Sequence, residues 1–176
     1  MKSLIHGVTL VAGLLVATGC QPAVEGEGPA SAASDGKKYL LDAEPAGAQD
    51  VIAVRESAKT DDEVVIVGRI GGRENPWPVK EQAIFTIVDP SLNACSDIPD
   101  DNCKTPWDYC CETQRLPTST ALVQIVDETG RPVAEDARKL LAVKELDTVV
   151  VKGKAVRDDE GNLEILATGL YVRPPS

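Results

Sequence analysis

Four cysteines lie close together near the middle of the chain, where their thiols can do chemistry. Cys95, Cys103, Cys110 and Cys111 fall within CSDIPDDNCKTPWDYCC and are separated by seven, six and zero residues. In an oxidising compartment, an even set of thiols predicts disulfides. A planar trans peptide holds neighbouring side chains apart, so Cys110 and Cys111 cannot easily bond to each other. We therefore predict two disulfides, in which each of these two pairs back to Cys95 or Cys103.

The main alternative is a metal site built from the same four thiolates. Four thiolates within one short segment can surround Zn²⁺ tetrahedrally, and soft sulfur ligands also suit Cu(I) or an iron–sulfur centre. The segment has no C-x₂-C spacing, which is typical of structural zinc sites and of redox-active dithiols. We therefore predict no cofactor, with one zinc or another soft metal ion as the alternative.

Three aromatic residues are candidate ligand contacts. Trp107 and Tyr109 lie among the cysteines, and Trp77 is flanked by prolines in an earlier predicted loop. Aromatic side chains in loops are frequent contact residues, but an aromatic ring can equally belong to the core. For Trp77 the sequence leaves both interpretations open.

The chain begins with a segment typical of export signals. After Lys2, an apolar run of thirteen residues extends from Leu4 to Val16, which is too short to span a bilayer. The run ends in ATGC at residues 17–20, and this ending resembles the lipobox of bacterial lipoproteins. The resemblance implies that residues 1–19 are a signal peptide, that Cys20 receives a diacylglyceryl group on its sulfur, and that cleavage occurs just before it.

The same resemblance implies a location in the cell envelope. Gln21, and no aspartate, follows the cysteine, which by analogy with double-membrane bacteria favours the outer membrane, facing the periplasm. The membrane is then a partner through the lipid anchor alone.

Removal of the signal peptide narrows the possible chemistry. The only histidine, His6, is lost together with Lys2, which leaves 17 basic and 28 acidic side chains and a formal charge of −11. Without an imidazole, Ser-His and Cys-His nucleophile pairs are excluded, and no carboxylate spacing indicates acid–base catalysis. A chain this acidic, with no basic stripe, is not expected to bind nucleic acid. We predict that the protein is not an enzyme.

Residues 20–38 are rich in Ala, Gly, Ser, Pro and Glu and predict a disordered tether before a single domain over residues 39–176. A short helix is predicted at residues 48–58. Runs of β-branched and other apolar residues, bounded by turn residues, predict five strands at 64–70, 83–88, 121–126, 148–156 and 163–172. A helical stretch with Val133, Ala137, Leu140 and Leu141 on one face lies between the third and fourth strands.

This order of elements resembles the OB-fold, a small five-stranded Greek-key barrel. Gly68 and Gly153 fall inside strands, where glycine often marks a bulge or a sharp bend of a closing barrel. The segment 90–120, with all four cysteines, becomes an insertion between the second and third strands; we call it the cysteine loop. The predicted core consists of Val64 or Val65, Ile66, Phe85, Ile87, Val123, Ile125, Leu140, Val149, Val151, Ile165 and Ala167.

The function predicted from these features is that of a membrane-anchored, extracytoplasmic binding or scaffold module. Its partner, a protein or a small molecule, is not identified by the sequence. The contact surface is expected beside the cysteine loop, since OB-like barrels commonly bind ligands across their second and third strands. The alternative is a metal-binding or redox protein that uses the four cysteines.

Replacing Cys20 with serine should release the protein from the membrane, because a serine oxygen cannot take the place of the lipidated sulfur. Fractionation of cells into soluble and membrane pools measures this, with Cys103→Ser as a control that keeps the anchor. Equal membrane recovery of Cys20→Ser and the parent chain would show that the lipoprotein assignment is wrong.

Overall fold

The computed structural model describes residues 34–175, so the predicted signal peptide, the lipidation site Cys20 and residues 20–33 of the tether lie outside the described residues. Within this range the chain is mainly β. The strands are β1 (Gln49–Asp50), β2 (Glu63–Ile70), β3 (Ile84–Val88), β4 (Thr120–Ile125), β5 (Thr148–Arg157) and β6 (Leu163–Val172). The helices are α1 (Val51–Ser57), α2 (Leu116–Ser119) and α3 (Ala137–Leu141), with 3₁₀ turns at Ser34–Tyr39, Cys95–Asp97 and Cys110–Glu112.

Strands β2 to β6 form a closed five-stranded barrel. Their order around the barrel is β2-β3-β4-β6-β5, and β5 pairs back onto β2 from Glu63–Lys154 to Arg69–Thr148. The pairing of β4 with β6 is parallel, and all other neighbouring barrel strands are antiparallel. The short β1 adds a parallel pairing to β2. The prediction of a mainly β protein with a closed five-stranded barrel is confirmed.

The strand limits agree closely with the sequence pattern, but the helices are shorter than predicted. Each of the five barrel strands begins and ends within one residue of its predicted limits, whereas β1 lies in a segment that was predicted as helix. Helix α3 starts only at Ala137, because Asp136 caps it by accepting a hydrogen bond from the Arg138 backbone N–H. Val133 lies before the helix, and its N–H donates to the Ile125 carbonyl. The apolar spacing was therefore correct for the buried face of this segment but not for the length of its helix.

The N-terminal part of the described chain packs on α3. The 3₁₀ turn Ser34–Tyr39 starts before residue 39, where the domain was predicted to begin. Gly36 lies directly against the Leu140 carbonyl and has no room for a side chain, and Tyr39 is buried in the main core. Residues 34–38, predicted as tether, are thus in contact with the domain.

The barrel interior contains the residues that the alternation of the strands predicted. Val64, and not Val65, packs against the core, and all other predicted core residues are buried within it. Helix α1 packs on β2 and β4 and adds Val51 and Val54 to this core. Helix α3 adds Leu140 and Leu141 between the end of β4 and the start of β5. The two helices therefore complete the core of a barrel whose strands alone do not fill it.

Gly153 is the site of an irregularity that the sequence predicted. The pairing of β5 with β6 shifts register between Lys152 and Gly153, which is a β-bulge or a similar irregularity. A side chain at Gly153 would collide with the Leu166 carbonyl and the Ala167 Cα of the neighbouring strand. Only glycine fits here, because the obstacle is backbone.

Gly153→Ala should lower the free energy of unfolding by about 1–3 kcal/mol, the usual cost of forcing a methyl group into a closely packed site. Lys154→Ala, at an exposed position of the same strand, is the matched control and should change it by less than about 0.5 kcal/mol. Urea denaturation monitored by circular dichroism measures both variants. Equal stability of the two would contradict the close strand approach.

Candidate functional site in the cysteine loop

The cysteine loop has a small hydrophobic core of its own. Val88, Leu92, Ala94, Tyr109 and Leu116 form a buried cluster separate from the barrel interior. Phe85 and Ile87 of the same strand point into the barrel, so Val88 belongs to the outer face of β3. The loop is therefore folded against the outside of the barrel at the end of β3.

Backbone hydrogen bonds bring the two ends of the cysteine-rich sequence together. The Cys95 N–H donates to the Asp108 carbonyl at 2.9 Å, and the Ser96 N–H donates to the Pro106 carbonyl at 3.0 Å. The 3₁₀ turn Cys95–Asp97 then lies beside the 3₁₀ turn Cys110–Glu112. This pairing places the first and third cysteines next to each other although fourteen residues separate them.

Two carboxylates hold the loop to the rest of the domain. Asp89, buried to 2% exposure, accepts hydrogen bonds from the Ile52 and Ser91 N–H groups and so connects helix α1 to the end of β3. Asp97 accepts from the Ala94 N–H at 2.9 Å and from Arg69 Nη1 at 2.5 Å. Burial alone would raise the pKa of Asp97, but these hydrogen bonds, with that from Arg69 the larger, bring it below its ordinary value. Asp97 is therefore charged in the folded protein.

The sulfur atoms of Cys95, Cys103 and Cys110 form one cluster, and the Cys111 sulfur lies beside Cys110. The Cys95 and Cys110 Sγ atoms are 3.4 Å apart, and the Cys110 and Cys111 Sγ atoms are 4.0 Å apart. The Sγ atoms of Cys95, Cys103 and Cys110 all lie within 4.8 Å of one another. All four cysteines are free thiols in the structure. Cys95 is buried and Cys103 half-buried, whereas Cys110 and Cys111 are exposed, so the cluster opens to solvent on one side.

The thiols of the cluster differ in acidity. Burial, followed by hydrogen bonding to Cys110 and Cys103, raises the pKa of Cys95 to about 12. The Cys103 Sγ lies 3.5 Å from both Oγ1 and the carbonyl oxygen of Thr105, and the hydrogen bond with the Thr105 side chain lowers the pKa of Cys103 below its ordinary value. Cys103 therefore ionises at a lower pH than Cys95.

The structure places Trp77 and Tyr109 inside the protein. Trp77, 7% exposed, packs on Phe85 with ring centroids 5.9 Å apart, and its Nε1 donates to Glu145 Oε1 at 2.6 Å. Tyr109 is 0% exposed, and its hydroxyl has no hydrogen-bond partner among residues 34–175. For Trp77 this favours the core interpretation, and neither ring offers a surface to a ligand. Trp107 is half-buried, and its Nε1 donates to the Glu74 carbonyl at 2.9 Å.

A groove beside the loop brings together residues that the sequence did not single out. It has a volume of about 870 Å³ and is lined by Trp107, the Arg69–Asp97 ion pair, residues 144–148 and residues 173–175. Arg173 in this lining also pairs with Glu44 at 2.6 Å. The partners in these contacts are far apart in the sequence, so no local sequence motif predicts them.

Comparisons with protein-family models and with curated proteins found no match. Over residues 34–175, none of the helices has both the length and the apolar content needed to cross a bilayer.

Tyr109→Phe should raise the free energy of unfolding by about 1–3 kcal/mol, because it removes a buried hydroxyl without a partner and keeps the ring. Tyr171→Phe, at a half-exposed position, is the matched control and should have little effect. Urea denaturation at neutral pH measures both. Destabilisation by Tyr109→Phe would show that the hydroxyl has a partner.

Alkaline pH gives a second readout of the same residue. Burial raises the pKa of Tyr109 from its ordinary value of 10 to about 12, so the unfolded chain loses the phenol proton at a lower pH than the folded protein. The stability that comes from this difference in pKa is fully present below pH 10 and is lost as the pH rises towards 12. In Tyr109→Phe this part of the pH dependence should be missing.

Proposed function

We propose that the chain is a lipid-anchored lipoprotein of the bacterial cell envelope, whose barrel binds or scaffolds a partner without catalysing a reaction. The anchor is supported by the apolar run Leu4–Val16 followed by ATGC at Cys20. The absence of catalysis is supported by the location of the only histidine, His6, in the signal peptide. The outer membrane, facing the periplasm, remains the proposed location.

We further infer that the barrel is OB-like. The support comes from the pairing order β2-β3-β4-β6-β5, with the parallel pair β4–β6, and from helix α3 between the third and fourth barrel strands. The irregularity at Gly153 agrees with a strongly coiled strand. In this assignment β3 and β4 are the second and third barrel strands, across which OB-like domains bind their ligands.

The single observation that carries the proposed contact surface is the position of the cysteine loop on β3. The loop covers Val88, whereas Thr86, Leu122 and Gln124 on the outer face of β3 and β4 stay half-exposed. The Gly72 N–H donates to the Trp107 carbonyl, and the Cα of Gly72 faces the methyl groups of Thr86 and Thr120. The edge of the loop at Trp107 therefore borders the open part of this face.

The chemistry of this border suits a partner that combines an apolar group with polar atoms. Trp107 offers an aromatic surface, and the adjoining groove offers the charged groups of Arg69, Asp97 and Arg173. With a formal charge of −11 on the mature chain, a polyanionic partner such as nucleic acid is not expected. A protein or a small molecule meets these conditions.

In-cell photo-crosslinking tests this function. A photo-reactive phenylalanine analogue in place of Trp107 should form one dominant adduct in envelope fractions, whereas the same analogue in place of Lys152, exposed on β5, should not. Both chains keep the anchor, so both sample the same compartment. Adducts at neither position, or equal adducts at both, would contradict a specific contact surface at the loop.

A further inference from the structure

Going beyond this proposed function, we propose that Cys95, Cys103, Cys110 and Cys111 bind one thiophilic metal ion, with Zn²⁺ as the ion and the four sulfurs as its ligands. The cluster lies in the cysteine loop, outside the barrel interior. It thus adds a metal site to a domain whose contact surface adjoins the same loop.

The distances between the sulfurs fit a tetrahedral thiolate site. A zinc–sulfur bond of about 2.3 Å in tetrahedral geometry places two sulfur ligands about 3.8 Å apart. The two closest approaches, 3.4 Å between Cys95 and Cys110 and 4.0 Å between Cys110 and Cys111, lie on either side of that value. Cys103 completes a group of three sulfurs within 4.8 Å of one another. Cys111 lies outside this group of three, and its exposed side chain, 4.0 Å from Cys110, must turn towards the other sulfurs to become the fourth ligand.

The same arrangement does not divide the four sulfurs into two separate pairs. Two disulfides need two separate pairs, but Cys110 is the common neighbour of the other three cysteines. Pairing Cys95 with Cys110 leaves Cys103 with Cys111, and the other pairing joins Cys95 with Cys111 and Cys103 with Cys110. The Cys103 sulfur lies within 4.8 Å of both Cys95 and Cys110, so the distances do not select one pairing. Three sulfurs that all lie within 4.8 Å of one another have the mutual closeness that the ligands of one metal ion require.

The loop holds its sulfurs in place and gives an ion access to them. The backbone bond from Cys95 to Asp108 fixes the first ligand relative to the third, and buried Tyr109 fixes the turn that carries Cys110 and Cys111. The Cys103 N–H donates to Asp101 Oδ1 at 2.9 Å, which orients the second ligand. Because Cys110 and Cys111 are exposed, an ion can enter from solvent without unfolding the loop.

The binding step is an exchange of protons for a metal ion and involves no change of oxidation state. Each thiol that coordinates Zn²⁺ releases its proton to solvent, so a four-thiolate site releases up to four protons per ion. Zinc binding can therefore be measured in two ways, by the mass of the bound ion and by the number of protons released.

Native mass spectrometry and thiol alkylation of the full chain, purified in mild detergent without oxidants, test the proposal. After addition of Zn²⁺ we expect one ion per chain and loop cysteines that resist alkylation until a chelator is added. Cys110→Ser should weaken zinc binding by more than the roughly 10–100-fold that loss of a group outside the ligand set costs. Cys20→Ser, the same exchange outside the loop, should leave binding unchanged.

Three results would overturn the proposal. One is a chain whose loop cysteines resist alkylation after denaturation without a reductant, which means two disulfides. Another is a chain with four reactive thiols that takes up no Zn²⁺. The third is a chain that binds one Cu(I) ion but no Zn²⁺, which would replace the four-thiolate zinc site with a different one. The chelator measurement uses the unaltered sequence, so the proposal stays testable if a serine variant fails to fold.

Discussion

The pairing of β2 with β5 joins two strands that are nearly eighty residues apart in the sequence, and the positions of all other elements depend on it. Backbone hydrogen bonds between these strands close the sheet, so the barrel has no free edge at this point. Closure also fixes the volume that α1 and α3 must fill with Val51, Val54, Leu140 and Leu141. Without it, β3 would not present a fixed outer face to the cysteine loop.

Asp89 connects the barrel to the cysteine loop through hydrogen bonds. It follows β3 directly, is almost completely buried, and accepts hydrogen bonds from the first turn of α1 and from Ser91 at the start of the loop. A buried carboxylate is costly unless its oxygens are satisfied, and here both are. The same residue thereby sets the direction in which the chain leaves the barrel, towards the cluster formed by Leu92, Ala94 and Tyr109.

The barrel could be predicted from the sequence because strand alternation is a local signal. β6 was predicted to the residue, and the predicted core differs from the observed one mainly by omissions such as Ile70, Ala83 and Leu170. These omitted residues lie at strand ends or outside the clearest alternation. Helix α3 was predicted too long, since an apolar face at helical spacing does not exclude non-helical backbone at Val133.

The candidate site could be predicted only in part. The cysteines identified the segment, but its folded form depends on the bond from Cys95 to Asp108 and on Arg69–Asp97, contacts between positions with no shared pattern. The burial of Tyr109 likewise depends on contacts with residues that are distant in the sequence. In the sequence, an aromatic residue in a loop looks like a ligand contact. In the structure, Tyr109 is buried because it packs against Val88 and Gly71, which lie outside the cysteine-rich sequence.

The cysteine loop is a folded part of the domain, held on the barrel by its own core and by backbone pairing. Hydrogen exchange followed by mass spectrometry measures this directly, because the Cys95 and Ser96 amides are hydrogen-bonded within the loop. We expect a peptide containing these amides to exchange slowly, within about a factor of 100 of β5. Exchange of this peptide at the rate of an unstructured chain, while β5 stays protected, would contradict it.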